Sequence, residues 1–158
     1  MTKDGGAATD SRRAEVDAVV RAVHHLVLAD ERVVGAALCG SWAAGRPTMA
    51  SDVDLIVVTH DRDELVADGG WARAALPAPA ELVRRRRWGP HLTELRYRLG
   101  SGLEVEIGVV DAAWVSTDPV DPGTRQVVSD GVQVIYDPAH LLAGVVSGIS
   151  SDDRSGEP

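Results

Sequence analysis

The stretch Leu38-Cys-Gly-Ser-Trp-Ala-Ala-Gly-Arg-Pro-Thr-Met-Ala-Ser-Asp-Val-Asp-Leu-Ile-Val-Val-Thr59 decides how the rest of the chain is read. One apolar run ends on Gly40-Ser41. Ten residues later Asp52-Val53-Asp54 opens a second apolar run. In a strand, alternate side chains share a face. Asp52, Asp54, Ile56 and Val58 therefore fall on one face, and Val53, Leu55 and Val57 on the other. Beyond Asp54 both faces are apolar, the pattern of a central strand whose polar end opens on a site. If the two runs are neighbouring strands, Gly40 and Asp52 meet only if the strands are antiparallel.

The chain of 158 residues is enough for one compact domain. Its 44% hydrophobic content is that of an ordinary globular protein. With no Phe and four Trp, the core is expected from Val, Leu, Ile and Ala. Lys3 is the only Lys among 16 basic residues, a composition bias rather than a chemical signal. The net charge of -8 disfavours general nucleic-acid binding, because phosphate neutralisation supplies most of that affinity. Cys39 is the only cysteine, which rules out an internal disulfide and a Cys-rich metal site. No signal peptide and no apolar run of about 18 residues is visible. The expectation is a cytoplasmic protein with no membrane partner.

Outward from the central stretch, the periodicity gives interleaved helices and strands. Residues 1–10 are polar and small, and are expected to form a disordered tail, with one domain over 11–146. Asp10 or Ser11 caps a predicted helix through about Ala29, with Val16, Val19, Val20, Val23, Leu26 and Val27 at helical spacing. His24 and His25 read as residues of that helix with no site role. Strands are predicted over Arg32–Cys39 and Asp52–Thr59, with a helical turn at Ser41–Gly45 between them. A short helix is expected after Asp61, stopped by Gly69-Gly70, and a turn of helix at Trp71–Leu76. Pro79 suits the first turn of a helix through Arg87. On a helix Arg84 to Arg87 fan around the cylinder, so they read as a solvated end rather than a binding face. His91–Leu99 and Leu103–Val110 read as a hairpin around Gly100-Ser101-Gly102. A loop over 111–124, a short element at 125–129 and a turn at Asp130-Gly131 lead to a strand over Val132–Tyr136. A last helix is predicted from Pro138 to about Val146, capped by Asp137, followed by a disordered tail over 147–158. The fold class expected is a mixed-sheet α/β domain.

Two acids at i and i+2 of a strand lie about 6–7 Å apart, close enough to converge on two cations about 4 Å apart. Oxygen ligands without His or Cys favour Mg²⁺, or Mn²⁺, over Zn²⁺. Magnesium held by few carboxylates keeps positions open for phosphate oxygens, which suits a nucleoside triphosphate. Gly40 lets the backbone approach a phosphate, and Ser41 with the N–H groups of the following turn can receive it. A third acid is needed. Glu104 and Glu106 share the polar face of their strand, and either suits; the ordinary alternative is a solvated hairpin face opposite Arg96 or Arg98.

Gly-Ser, ten residues, Asp-x-Asp and an acid on a later strand resemble the DNA polymerase beta-type nucleotidyltransferase superfamily, in particular its minimal nucleotidyltransferase branch with the aminoglycoside nucleotidyltransferases. The likeness covers about Val33 to Val110, and Asp130-Gly131 to Tyr136-Asp137-Pro138 resembles the end of such domains. It implies a nucleotidyltransferase fold. It implies that Asp52, Asp54 and Glu106 bind two Mg²⁺ ions and are catalytic, with Glu104 the rival for the third place. Glu106 is preferred because Val105 and Ile107 flank it. Glu stands where Asp is more usual, one methylene longer; in aminoglycoside-type members a Glu there can serve as the base. Gly40 and Ser41 would hold the β- and γ-phosphates of ATP or another NTP, with Arg46 a further candidate near the triphosphate. The implied reaction moves NMP, AMP first among the candidates, to a hydroxyl of a small molecule or protein, and releases pyrophosphate. Two other readings follow from the same resemblance: an antitoxin that binds, with or without AMP transfer, a helical HEPN-type toxin, and a nucleotide-binding domain without turnover. No segment of the sequence reads as an acceptor pocket, so a partner protein or a homodimer is expected to complete it.

Overall fold

A computed structural model describes residues 6–68 and 70–155 of the chain. The elements in order are α1 (Asp10–Leu28), β1 (Val33–Cys39), α2 (Gly40–Ala43), β2 (Val53–Thr59) and α3 (Arg62–Ala67). Then follow β3 (Ala80–Trp88), β4 (Leu92–Leu99), β5 (Glu104–Val110), a 3-10 turn (Ala112–Val115), α4 (Pro122–Asp130), β6 (Val132–Tyr136) and α5 (Leu141–Ser155). The six strands form one mixed sheet in the order β3-β4-β5-β2-β1-β6, flanked by helices, as the interleaved pattern predicts. β2 and β5 run parallel; every other neighbouring pair is antiparallel.

Each face of the sheet carries its own core. On one side α1 lays down Val16, Val19, Val23 and Val27, all buried, against Val53, Leu55, Val105 and Ile107. Each such side chain contributes roughly 1.5–3 kcal/mol on burial, offset by the entropy of ordering it. On the other side α5 and the 3-10 turn place Leu142, Val145, Ile149 and Trp114 over Ala37, Ile56, Val58 and Val110. The small residues of β1 allow this: a Cβ on Gly35 would stand 3.3 Å from Leu142 Cδ1. Asp52 and Asp54 belong to this second face, at the end of β2 that α5 does not cover.

Five elements differ from the sequence-based expectation. The loop expected over 111–124 holds the 3-10 turn and the start of α4 at Pro122, and the last helix begins at Leu141 rather than Pro138. Thr9 caps α1 by accepting from the Arg12 N–H, one residue before Asp10. Within the expected N-terminal tail, Ala7 bridges Thr48 and Ala8 is buried, while residues 1–5 lie outside the described residues. The segment predicted as a helix from Pro79 to Arg87 is the edge strand β3, paired with β4 from Ala80↔Leu99 to Trp88↔Leu92. Pairing along a full strand overrides the good helix propensity of four arginines, and charges on an edge strand discourage further pairing. The last helix runs to Ser155, past the expected boundary at Val146; Asp137 still caps it, accepting from the Leu142 and Ala143 N–H groups, and residues 156–158 lie outside the described residues. Among the described residues no helix is long and apolar enough to cross a membrane.

Candidate active site

The antiparallel pairing of β1 with β2 puts Cys39 opposite Asp54, so the Gly40 turn arrives beside the acids. Gly40 has φ 71°, in the region that favours glycine. Its Cα faces the carboxylate so closely that an added Cβ would lie 2.5 Å from Asp54 Oδ2. The Gly40 N–H donates to the carbonyl of Gly131, which anchors the turn to the start of β6. Gly131 is itself at φ 131°, and a Cβ there would stand 3.1 Å from the Gly40 carbonyl oxygen and 3.0 Å from Ala44 Cβ. The sequence marks Asp130-Gly131 as a turn; its support of Gly40 emerges only from the fold. From Gly40 the chain enters α2, whose N-cap Cys39 gives no side-chain hydrogen bond. The first N–H groups of a helix have no partner within it. Ser41 is the second residue of this turn and half-buried. Arg46 stands exposed, its backbone N–H donating to the Ser41 carbonyl.

The parallel register of β2 with β5 sets Asp54 directly beside Glu106, and the antiparallel register of β5 with β4 sets Glu106 beside Arg96. Asp54, Glu106 and Arg96 thus form one row across three strands. Glu104 sits opposite Arg98 and accepts hydrogen bonds from both Arg98 (2.9 Å) and Arg96. Those two arginines hold its carboxyl below the usual range. Both acids thus face an arginine across the hairpin, Glu104 opposite Arg98 and Glu106 opposite Arg96, and Glu106 alone lies in the row with Asp54. Arg96 also pairs with Glu106, and with Asp52 at 3.3 Å.

Glu94, two residues before Arg96, is buried and shares the face. It accepts from Trp88 Nε1 at 2.6 Å, Arg84 at 2.8 Å and Arg96 at 3.3 Å. Burial alone would raise its pKa; those three donors reverse this and hold it low. Asp54 has no such donors. Burial, then the neighbouring Asp52 charge, pushes its carboxyl up to about 6, with Arg96 opposing. Burial, with Asp54 adding, likewise pushes the Cys39 thiol up to about 12, which makes it an inert wall residue.

A cavity of about 660 Å³ opens beside these acids. Gly40, Asp54, Glu94 and Glu106 line it together with Trp88, Leu92 and Trp114. Gly108 gives it depth: a Cβ there would lie 2.8 Å from Ile56 Cδ1. The sequence shows no such cavity because its walls come from β3, β4 and the 3-10 turn, and meet only in the fold. A second cavity, of about 230 Å³, lies on the far side of Asp52, between Arg12, Ser51 and Glu104.

The donor set suits a hard divalent cation: carboxylate oxygens on one face, with no sulfur or imidazole among them. Among the described residues, however, no three acids, histidines or cysteines are gathered closely enough to hold an ion. Arg96 stands among them and takes two of the three expected ligands, Asp52 and Glu106.

No family model matches the chain, and no curated protein matches it. Among solved structures, the crystal structure of the Cid1 poly(U) polymerase matches with a TM-score of 0.45 and 17% identity, over 65% of this chain and 32% of that one. The chain therefore spans about a third of the length of that structure.

Proposed function

We propose that the chain is a nucleotidyltransferase that moves NMP, with ATP the first donor to test, from a nucleoside triphosphate to a hydroxyl. The observation that carries this reading is the row Asp54–Glu106 on parallel strands with the glycine turn at Gly40 pressed against Asp54. Asp52, Asp54 and Glu106 would hold Mg²⁺ or Mn²⁺. Divalent ions bound there supply charge neutralisation on the triphosphate and lower the pKa of the attacking hydroxyl. The Gly40-Ser41 turn and the N–H groups of α2 after Gly40, whose own N–H is held by Gly131, would receive the β- and γ-phosphates. Gly40 allows their close approach, and Ser41 offers a hydroxyl.

In this reading the acceptor lies in the 660 Å³ cavity, with its hydroxyl toward the carboxylates that line it. The acceptor oxygen attacks the α-phosphorus and forms the new P–O bond. The bond from the α-phosphorus to the bridging oxygen breaks, and pyrophosphate leaves. Glu106 would take the acceptor proton. Preorganised charge and orientation do most of the work in such a transfer. The apolar walls at Trp88, Leu92 and Trp114 favour a small hydroxyl compound with an apolar body.

The test is a screen of α-³²P-labelled NTPs with Mg²⁺ against a hydroxyl-compound library, read by label transfer and mass spectrometry. The expected result is a product heavier by one NMP, with pyrophosphate released. Absence of both transfer and NTP binding across all four NTPs overturns the reading.

A further inference from the structure

Arg96 holds the centre of the acidic face, and the inference drawn from it rests on the metal reading proposed above. Five carboxylates share this face: Asp52, Asp54, Glu94, Glu104 and Glu106. Three guanidiniums meet them, those of Arg84, Arg96 and Arg98. Arg86, opposite Glu94 and stacked on Trp88, stands on the same face, so the acids still outnumber the guanidiniums around them.

The five acids are not equally dependent on Arg96. Glu94 keeps Arg84 and Trp88, and Glu104 keeps Arg98, whatever Arg96 does. Asp52 and Glu106 pair, among the described residues, with no cation but Arg96. Arg96 can therefore release these two and remain hydrogen-bonded to Glu94 and Glu104. Its fork of five donors suits such an exchange, since different N–H groups serve different acids.

We propose that Arg96 is the site's resident counter-cation and a positioning residue: it occupies the carboxylates of Asp52 and Glu106 beside Asp54, and surrenders them as a divalent cation binds. The arginine keeps the acids tolerable in the free protein, where a half-buried cluster of unpaired carboxylates would be costly. It also makes the cation compete for its ligands. Apparent affinity then falls by the fraction of molecules in which Asp52 and Glu106 are free.

The test is Mn²⁺ binding to the full chain, followed by the electron paramagnetic resonance of free Mn²⁺, so that no activity is needed. Wild type, Arg96→Gln and Arg96→Lys are compared, each checked by thermal melting. If Arg96 holds the two ligands in about nine-tenths of molecules, Arg96→Gln binds Mn²⁺ about tenfold more tightly. Arg96→Lys keeps the charge but loses the fork, and falls between the two. An arginine that only orders the acids gives the opposite sign, weaker binding in Arg96→Gln. Weaker or unchanged binding overturns the proposal while leaving the metal reading intact. Should Arg96→Gln fail to fold, Arg96→Lys decides: tighter binding than wild type supports the proposal, and equal or weaker binding overturns it. No Mn²⁺ binding by any of the three overturns both this proposal and the metal reading.

Discussion

Gly40 and Asp54 face each other across β1 and β2 at a distance that only a glycine allows: a Cβ on Gly40 would stand 2.5 Å from Asp54 Oδ2. Gly40 also carries φ 71°. Gly40→Ala therefore meets both a backbone penalty and a collision with the carboxylate that the proposed chemistry needs. The expected cost is about 1–3 kcal/mol of stability from the left-handed backbone alone. NTP affinity falls as well, because the turn must move off its position. Chemical denaturation and NTP titration of the same preparation check the two effects. A variant as stable as wild type and equally able to bind NTP would show that the close approach has no function.

Asp54→Asn has opposite effects on activity and stability. It removes a proposed ligand, and label transfer from α-³²P-ATP is expected to fall at least about 10²–10³-fold, as for loss of a key electrostatic group. In metal-free buffer the same change is stabilising at neutral pH. The folded-state pKa of Asp54 is about 6 against an ordinary 3.8, so between those values the native state binds more protons than the unfolded one. Stability therefore falls as pH rises through that window. Asparagine carries no charge and escapes the loss, worth up to about 3 kcal/mol above pH 6. Melting curves in EDTA at pH 4 and pH 7.5 should show Asp54→Asn matching wild type at the first and exceeding it at the second.

The two candidate third ligands are separated by the register. Glu106 lies beside Asp54 on the parallel strand, and Glu104 is bound by Arg96 and Arg98 on the antiparallel one. Glu106→Gln is expected to lose transfer to the same degree as Asp54→Asn. Glu104→Gln is expected to keep measurable transfer, reduced less than about tenfold, since Glu104 lies outside the Asp54–Glu106 row and its carboxylate is already taken by Arg96 and Arg98. Parallel kinetic assays of the two variants decide the assignment; a larger loss in Glu104→Gln would exchange the roles.

These residues also show what could be read from the chain beforehand. Asp54 was legible because a strand repeats every two residues and its apolar run starts at the acid. β3 was not: Arg84 to Arg87 has no apolar alternation, and only pairing with β4 makes it a strand. That misreading hid Trp88, which then could not be seen beside Glu94 or at the wall of the cavity. Arg96 was visible only as an ordinary partner for a hairpin acid. Its place among four carboxylates depends on the registers of β4, β5 and β2 together, which no local pattern encodes. The phosphate turn and the Asp-x-Asp are local and were readable; the counter-charge and the cavity are products of strand order.

Gly131 extends the same reasoning to a residue with no chemistry of its own. Its carbonyl receives the Gly40 N–H at 3.1 Å, and its φ of 131° lies where side chains are strained. Gly131→Ala would push a methyl group against the Gly40 carbonyl and Ala44 Cβ, both on or next to α2. The backbone strain costs about 1–3 kcal/mol. Relief of the contact requires α2 to shift, and with it Ser41 and the N–H groups proposed to receive phosphate. The expected signature is weaker NTP binding, with Mn²⁺ binding by the acids in the absence of nucleotide unchanged, because Asp54 and Glu106 are set by β2 and β5 rather than by this turn. Paired titrations with Mn²⁺ alone and with NTP separate the two. Equal loss of both would mean that Gly131 supports the whole sheet end, and that the phosphate turn has no separate mechanical support.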